Sequence, residues 1–232
     1  MHGAYAKVRL PPGSDVTYLK GMPVLLLIDG HPDGPPAHET LAGALCDAYH
    51  AGAAPHAEVT RLELRHLTFD PILRRGYAAP QPLEPDLEAA AAAITAAHHV
   101  AWFFPCWWNA PPALVKGFID RVFTPGFAFR YTAESALPQK LLAGRSARLV
   151  TSMDSPWWWH RLVNRSALHV QFLRSTLGFV GFSPLGSNTV YGARTLTARA
   201  RDRALAQVRR AGQRDALATA RRERRRGALL AS

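Results

Sequence analysis

The run Val24-Leu25-Leu26-Leu27-Ile28, followed by Asp29-Gly30-His31-Pro32-Asp33-Gly34, decides how the rest of the chain is interpreted. Five consecutive apolar residues are too few to cross a bilayer, and they suit a strand that is buried on both faces. The glycines and the proline after them end the strand and lead into a helical pattern over about 37–51, which stops near Gly52. Strand, loop and helix together predict the first βα unit of a parallel sheet.

The same alternation continues along the chain. Apolar runs predict further strands over 58–64, 100–104, 147–151 and part of 179–190, and helical patterns cover 83–97, 112–123, 162–177 and 195–211. Five strands separated by helices predict a single α/β domain with a doubly wound parallel sheet, whose ligands bind at the carboxyl ends of the strands. We expect an N-terminal extension over 1–21, this domain over 22–212, and an Arg-rich C-terminal tail over 213–232.

Composition narrows the class of protein. A chain of 232 residues with 48% hydrophobic and 19% charged residues is globular. Cys46 and Cys106 are the two cysteines, and the histidines show no metal-ligand spacing, so neither a disulfide framework nor a metal site is expected. The first twenty residues lack the apolar core of a signal peptide, which predicts a soluble, cytoplasmic protein that does not insert into a membrane.

The net charge of +11 is concentrated at the end of the chain. Residues 194–232 hold twelve arginines against three acids, which accounts for +9 of the total. A tail of this kind suits nucleic acid or an anionic membrane surface, but a frayed, solvated extension is the favoured interpretation. No aromatic residue interrupts the tail, so base stacking is not supported and nucleic acid is not an expected partner.

Three loops at the carboxyl ends of predicted strands are unusual. The loop over 29–40 precedes a helix, where free N–H groups and the helix dipole attract anions, although an ordinary Gly/Pro turn fits equally well. The loop over 105–112 contains two adjacent tryptophans, and the loop over 151–160 contains three. Such aromatic residues suit a planar ligand, an interface or a structural cluster. GxGxxG, GxxxxGK[ST] and GxSxG motifs are absent, which disfavours a Rossmann dinucleotide site, a P-loop and a serine hydrolase.

One longer stretch is more specific. Residues 105–129, PCWWNAPPALVKGFIDRVFTPGFAF, resemble the signature of the flavodoxin-like NAD(P)H:quinone oxidoreductases. Gly30-His31-Pro32, the segment 151–159 and the segment 177–182 are similar to other parts of that family, so the resemblance covers roughly 22–212. It implies a flavodoxin-like fold, a homodimer, bound FAD or FMN with FAD slightly favoured, NAD(P)H as electron donor, and a quinone or related small aromatic acceptor.

The resemblance also implies roles for individual residues. It places these residues against the flavin: His31, Ala37, His38, Thr40, Pro105, Cys106, Trp107, Trp108, Asn109, Thr151, Ser152, Met153 and Asp154. Phe129 and Tyr131 match aromatics that line the substrate cavity from the partner subunit, and Trp157 is a further substrate-binding candidate. Trp159 stands where the family often has a pocket tyrosine, and with His160 it is the catalytic candidate, His160 as a proton donor.

Departures from the family keep alternatives open. Pro36 replaces a hydroxyl residue in the first loop, and Met153-Asp154 replaces the usual Gly-Gly. Since Pro35 and Pro36 have no amide hydrogen, the loop has fewer donors for a phosphate. Two alternative functions stay open. One is a nitro- or azo-aromatic reductase, and the other is a flavodoxin-like regulatory or binding protein with little turnover.

Overall fold

A six-stranded sheet with the order β1-β3-β2-β4-β7-β8 forms the centre of the computed structural model, which describes residues 8–9, 22–33, 40–132 and 135–230. Its strands are β1 Val8–Arg9, β2 Val24–Asp29, β3 Glu58–Glu63, β4 His99–Pro105, β7 Ser146–Met153 and β8 Leu185–Tyr191. Within this sheet, only β1, which lies in the predicted N-terminal extension, pairs antiparallel. The other five strands are parallel in the doubly wound order, so the predicted flavodoxin-like fold class is confirmed.

Helices cover both faces of the sheet. They are α1 Leu41–Ala53, α2 Pro85–Ala96, α3 Ala113–Val122, α4 Ala167–His169 and α5 Ala198–Leu230. On one face Trp102 and Phe104 of β4 pack with Phe118 and Phe172, and on the other Phe103 packs in a second core with residues of α1 and α5. Because alternate residues of β4 point to opposite faces, its apolar run serves both cores.

Two parts of the chain differ from the pattern predicted for them. The helix expected over 162–177 is replaced by π-helical turns at Trp159–Val163 and Val170–Gly178, with left-handed Arg165 and Ser166 between them. An unpredicted antiparallel hairpin, β5 Phe129–Thr132 and β6 Ser135–Lys140, lies outside the main sheet. Its short strands carry little periodic signal.

The last helix is longer than the sequence suggested. The helix expected over 195–211 spans Ala198–Leu230. No element ends at the expected boundary at 212, and the tail expected to be frayed is helical. Ala216 and Thr219, beyond that boundary, are buried. Gly212 and Gly52 allow α5 and α1 to approach closely, since a Cβ at Gly212 would lie 2.2 Å from the Tyr49 carbonyl oxygen. Among the described residues, no helix is long and apolar enough to cross a membrane.

Asp215 of α5 forms the centre of a largely buried polar cluster with Tyr49, His99 and Arg148, here called the Asp215 cluster. Its carboxylate accepts hydrogen bonds from the Tyr49 hydroxyl at 2.6 Å and from Arg148 Nη2 at 2.9 Å. The Tyr49 hydroxyl lies 2.9 Å from His99 Nε2. Burial lowers the pKa of His99 to about 4, which the nearby Asp215 only partly offsets, so this imidazole is neutral at pH 7. The cluster joins α1, β4, β7 and α5.

Replacing Asp215 by asparagine is therefore expected to lower the free energy of unfolding by about 3 kcal/mol, because Arg148 keeps its partly buried charge without a counter-charge. Urea denaturation measures the effect. Asp202 lies exposed on the same helix, and Asp202→Asn should change stability by no more than about 0.5 kcal/mol. Equal effects of the two substitutions would contradict a structural role for the Asp215 cluster.

Candidate functional site

A cavity of about 350 Å³ opens at the carboxyl ends of β4 and β7, where the sequence predicted a ligand. The loops after these two strands supply most of its wall. The lining residues are Cys106, Trp107, Trp108, Asn109, Met153, Asp154, Ser155, Trp159 and Asn164. The fold thus brings the two tryptophan-rich loops together around one opening, with indole rings and main chain on its surface.

The loop after β4 is a tight hairpin. Trp107 and Ala110 exchange main-chain hydrogen bonds of 3.0 and 2.9 Å, while Trp108 and Asn109 between them have φ of 53° and 59°. Two left-handed central residues define a turn of type I′, which normally contains Asn-Gly. A left-handed tryptophan is strained, and its side chain is 99% exposed. Since its ring gains no burial in return, this geometry favours a role for Trp108 at the cavity mouth.

The loop after β7 is held against that hairpin. The Cys106 N–H donates to the Ser152 carbonyl at 2.7 Å, and the Asn164 amide donates to Asn109 Oδ1 at 3.0 Å. Met153 is buried in the wall, and the Asp154 carboxylate accepts from the Arg194 N–H at 2.8 Å. Pro105, Thr151 and Ser152 lie beneath the cavity rather than on its surface.

The first loop approaches the cavity through His31. Its ring meets Trp107 edge-on, with the centroids 6.2 Å apart. The His31 N–H donates to Asp29 Oδ1 at 3.1 Å, and His31 Nδ1 accepts from the Asp33 N–H at 3.2 Å. Thr40 caps α1, its hydroxyl accepting from the Gly43 N–H at 2.9 Å. Ala37 and His38, the other predicted contacts of this loop, lie outside the described residues.

A charged cluster beside the first loop was missed in the sequence. Asp29 is fully buried at the end of β2, and its carboxylate lies 2.8 Å from Arg61 and 3.4 Å from Arg65. Arg61 also binds Asp47 at 2.6 Å, and both arginines bind Glu63. The sequence did contain a signal for this cluster, since Asp29 ends an otherwise apolar strand. A buried carboxylate requires a partner of opposite charge.

His160 lies next to Trp159 but is not part of the cavity lining. Its side chain has no exposed surface, and its Nε2 is 3.0 Å from His169 Nδ1. His169 Nε2 is in turn 2.9 Å from the Thr189 hydroxyl. Burial lowers the pKa of both imidazoles, that of His169 to about 4 with help from His160 and Arg161. The two histidines form a neutral, hydrogen-bonded pair at pH 7, and His169 was not a candidate from the sequence.

The predicted substrate-binding aromatics do not line this cavity. Phe129 is buried in β5 against Tyr77 and Phe179, whereas Tyr131 is exposed. Trp157 is exposed and contributes nothing to the lining, although the neighbouring Trp158 packs edge-to-face on Trp159. The contribution of Phe129 and Tyr131 to a partner's site therefore stays a prediction.

The cavity fits the ring system of a flavin. Indole rings offer flat apolar surfaces, and the main chain of the two loops offers N–H and C=O groups for the polar edge of the ring. A volume of about 350 Å³ suits a ring rather than a whole dinucleotide. Within the described part of the chain, no group of three or more His, Cys, Asp or Glu side chains is placed to hold a metal ion.

The doubly wound sheet with a cavity at its carboxyl edge is the architecture of the flavodoxin class, and comparison with known proteins agrees. A family model described as a flavodoxin-like fold matches residues 24–213, so the chain belongs to this flavodoxin-like family. One curated relative is named an NAD(P)H oxidoreductase and another an FMN-dependent NADH:quinone oxidoreductase, which confirms the family indicated by residues 105–129.

The individual similarities are moderate. An uncharacterized NAD(P)H oxidoreductase of Escherichia coli, YcaK, is 30% identical over 40% of this chain, and the match spans only 51% of that relative. An FMN-dependent NADH:quinone oxidoreductase of Macrococcus caseolyticus is 27% identical over 82% of this chain and 97% of its own. The solved NAD(P)H:quinone oxidoreductase of Methanothermobacter marburgensis has a TM-score of 0.69 at 22% identity, covering 83% of this chain and 96% of its own, which shows a shared fold.

Replacing Trp108 by asparagine separates strain from binding. Asparagine tolerates the left-handed region, so the free energy of unfolding should rise by about 1 kcal/mol in urea denaturation. The lost ring should weaken flavin binding about tenfold, measured by titration. Ile72→Asn removes an exposed apolar side chain away from the cavity and should leave flavin affinity unchanged. Full affinity in Trp108→Asn would exclude Trp108 from the flavin site.

Proposed function

We propose that this protein is a flavin-dependent NAD(P)H oxidoreductase that passes a hydride through the flavin to a quinone or a related aromatic acceptor. The aromatic cavity, at which the two predicted flavin loops meet, is the observation that carries the proposal. The names of the curated relatives support the same chemistry.

The flavin would be held by the cavity residues. It supplies the hydride chemistry, accepting from NAD(P)H and donating to the acceptor. Trp108 and Trp159 would offer flat surfaces to its ring, the main chain of Cys106–Asn109 would offer N–H and C=O groups, and the buried Met153 would exclude water from the cavity wall. FMN is favoured over FAD because a relative of nearly equal length is named as FMN-dependent, so the slight preference for FAD in the sequence is not supported.

His160 has a positioning role in this proposal. It lies behind Trp159, tied through His169 to Thr189 of β8. This chain of hydrogen bonds fixes the π-helical turn and with it the indole of Trp159. A direct proton transfer from His160 to the acceptor, the role expected from the sequence, would require the wall to open.

We also propose a homodimer, because an apolar surface surrounds the cavity mouth. Trp107, Trp108, Trp157, Trp158, Trp159, Leu162 and Val163 are all substantially exposed. Exposed apolar residues clustered around an opening indicate an interface. Burial of this surface against a second copy would enclose the cavity. The exposed Tyr131 of the hairpin β5–β6 could then contribute to a partner's site, whereas Phe129 would first have to leave its contacts with Tyr77 and Phe179.

A charge in that surface is expected to prevent association. Leu162→Asp introduces a carboxylate at a position that is 70% exposed in one chain, and the mass from light scattering should fall from that of a dimer to that of a monomer. Leu229→Asp, near the far end of α5, is the matched control and should remain dimeric. A monomer for the unaltered protein would overturn the proposed dimer.

The absorbance spectrum of the purified protein under anaerobic conditions tests the function. Added FMN should give the bands of a bound flavin, and NADPH or NADH should bleach them within a turnover. Adding a quinone should restore the bands. A protein that binds no flavin would overturn the proposal and favour the low-turnover binding protein.

The rates at which the flavin bands bleach and return, followed by stopped flow, define the role of His160. In His160→Gln the reaction with quinone should slow more than the reaction with NAD(P)H, because Trp159 is displaced from the acceptor. Equal rates in both steps would exclude His160 from the acceptor step.

Nitro- and azo-aromatics are alternative acceptors, since an open aromatic cavity accepts planar rings generally. A cytoplasmic location is part of the proposal, and cell fractionation tests it.

A further inference from the structure

The last helix exposes arginines in a regular pattern. Three pairs of arginines follow one another along α5, each pair 11 residues after the one before, and all six side chains are exposed: Arg199 and Arg203, Arg210 and Arg214, Arg221 and Arg225. Because about 11 residues complete three turns of an α-helix, the three pairs lie on the same side of it. The surface formed by these six side chains is here called the arginine stripe.

The arginine stripe faces away from the domain. The opposite side of α5 contains Val208, Ala211 and Ala216, which are buried in the core that the helix shares with α1 and Phe103. From the first arginine to the last, the stripe is about 40 Å long at a rise of about 1.5 Å per residue. It is therefore a straight, solvent-facing row of positive charge across one side of the molecule.

The acids of α5 do not neutralise the stripe. Asp215 binds Arg148 in the Asp215 cluster, Glu223 lies 3.6 Å from His98, and Asp202 stands to one side of the row. Across the part of the chain that the structure describes, none of the six arginines forms an ion pair. Their charge is available to an external anion.

Small and apolar residues separate the charged pairs. Ala206, Leu217 and Ala228 are exposed and follow the same spacing of 11 residues. Arginine side chains combine an apolar stem with a charged head, so the stripe alternates guanidinium groups with apolar contact surface. That combination suits the headgroup region of a phospholipid layer, where phosphates lie next to the beginning of the acyl chains.

The shape of the surface fits a broad partner better than a grooved one. The helix α1 packs along α5, with Gly212 against the Tyr49 carbonyl, so the two helices together are about 20 Å wide. The major groove of DNA is about 12 Å wide and admits a single helix. With α1 at its side, α5 does not fit into such a groove, whereas a membrane surface presents no such limit.

We propose that the arginine stripe docks this protein on an anionic phospholipid surface. The guanidinium groups donate hydrogen bonds to the lipid phosphates, and the negative surface potential attracts the whole row. The contact is peripheral, because the apolar side of α5 is already buried in the protein's own core. The segment with Leu162 and Val163 leads into Leu168 and Phe172, which pack on the other face of the sheet, so the proposed dimer surface stays separate.

Sedimentation with lipid vesicles tests the docking, and it needs no flavin and no turnover. The protein should sediment with vesicles of equal parts phosphatidylglycerol and phosphatidylcholine, and it should stay in solution with phosphatidylcholine alone. Raising the salt to about 1 M shortens the Debye length to about 3 Å and should release the bound protein. Failure to bind the anionic vesicles would overturn the inference and leave the proposed flavin chemistry untouched.

Paired substitutions locate the binding surface. Arg210→Gln with Arg221→Gln removes two charges from the stripe and should weaken binding to the anionic vesicles about 25-fold, at about fivefold for each arginine. Arg75→Gln with Arg174→Gln removes the same charge from exposed positions outside α5 and should weaken binding by no more than about twofold. Glutamine has nearly the helix propensity of arginine, so urea denaturation should show both variants folded. Equal losses in the two variants would contradict the assignment to the stripe.

Duplex DNA is the other polyanion that a row of arginines attracts. In fluorescence anisotropy at physiological salt, a short labelled duplex should bind more weakly than the anionic vesicles. A protein that binds the duplex and leaves the vesicles unbound would have nucleic acid as its partner, and the membrane assignment would be wrong.

Discussion

The parallel pairing of β4 with β7 is the constraint on which the site depends. Its register runs from His99 opposite Ser146 to Pro105 opposite Ser152, and the Cys106 N–H extends it by one more bond to Ser152. Because the two strands end at the same level, the two tryptophan-rich loops emerge side by side. A shift of one residue would turn Trp102 and Phe104 from one core into the other and would separate the loops. The cavity is therefore a consequence of sheet register as much as of its own residues.

The electrostatic design differs between the two ends of the site. At the ring end, indole rings and main-chain groups line the cavity together with the Asp154 carboxylate, which accepts a hydrogen bond from the main-chain N–H of Arg194. At the first loop, carboxylates outnumber their guanidinium partners. The pair His160 and His169, which lies behind Trp159, is neutral and therefore adds no net charge next to the cavity.

Much of the fold was predictable because its signals are local. The apolar run of β2 and the 105–129 stretch each identify a βα unit or a family without knowledge of the rest. The π-helical turns near His160 were not predictable, because their geometry depends on left-handed Arg165 and Ser166 and on packing against β8. The charged cluster around Asp29 joins residues 29, 47, 61, 63 and 65, and only the folded sheet brings these together. For α5, the abundance of arginine concealed buried positions at 211, 212, 216 and 219, whose helical spacing was present in the sequence.

The contact between Gly212 and Tyr49 joins the first and the last helix of the domain. A carbonyl of α1 lies where any larger residue of α5 would place its Cβ, so the main chains of the two helices touch directly. The first loop leads into α1, and the height of α1 above the sheet is thus set by a helix near the carboxyl terminus. Shortening the protein at the onset of its basic stretch would remove Asp215 and the last buried turns. The loss would remove part of the helix against which α1 packs, so the position of α1 and of Thr40 at its start is expected to change.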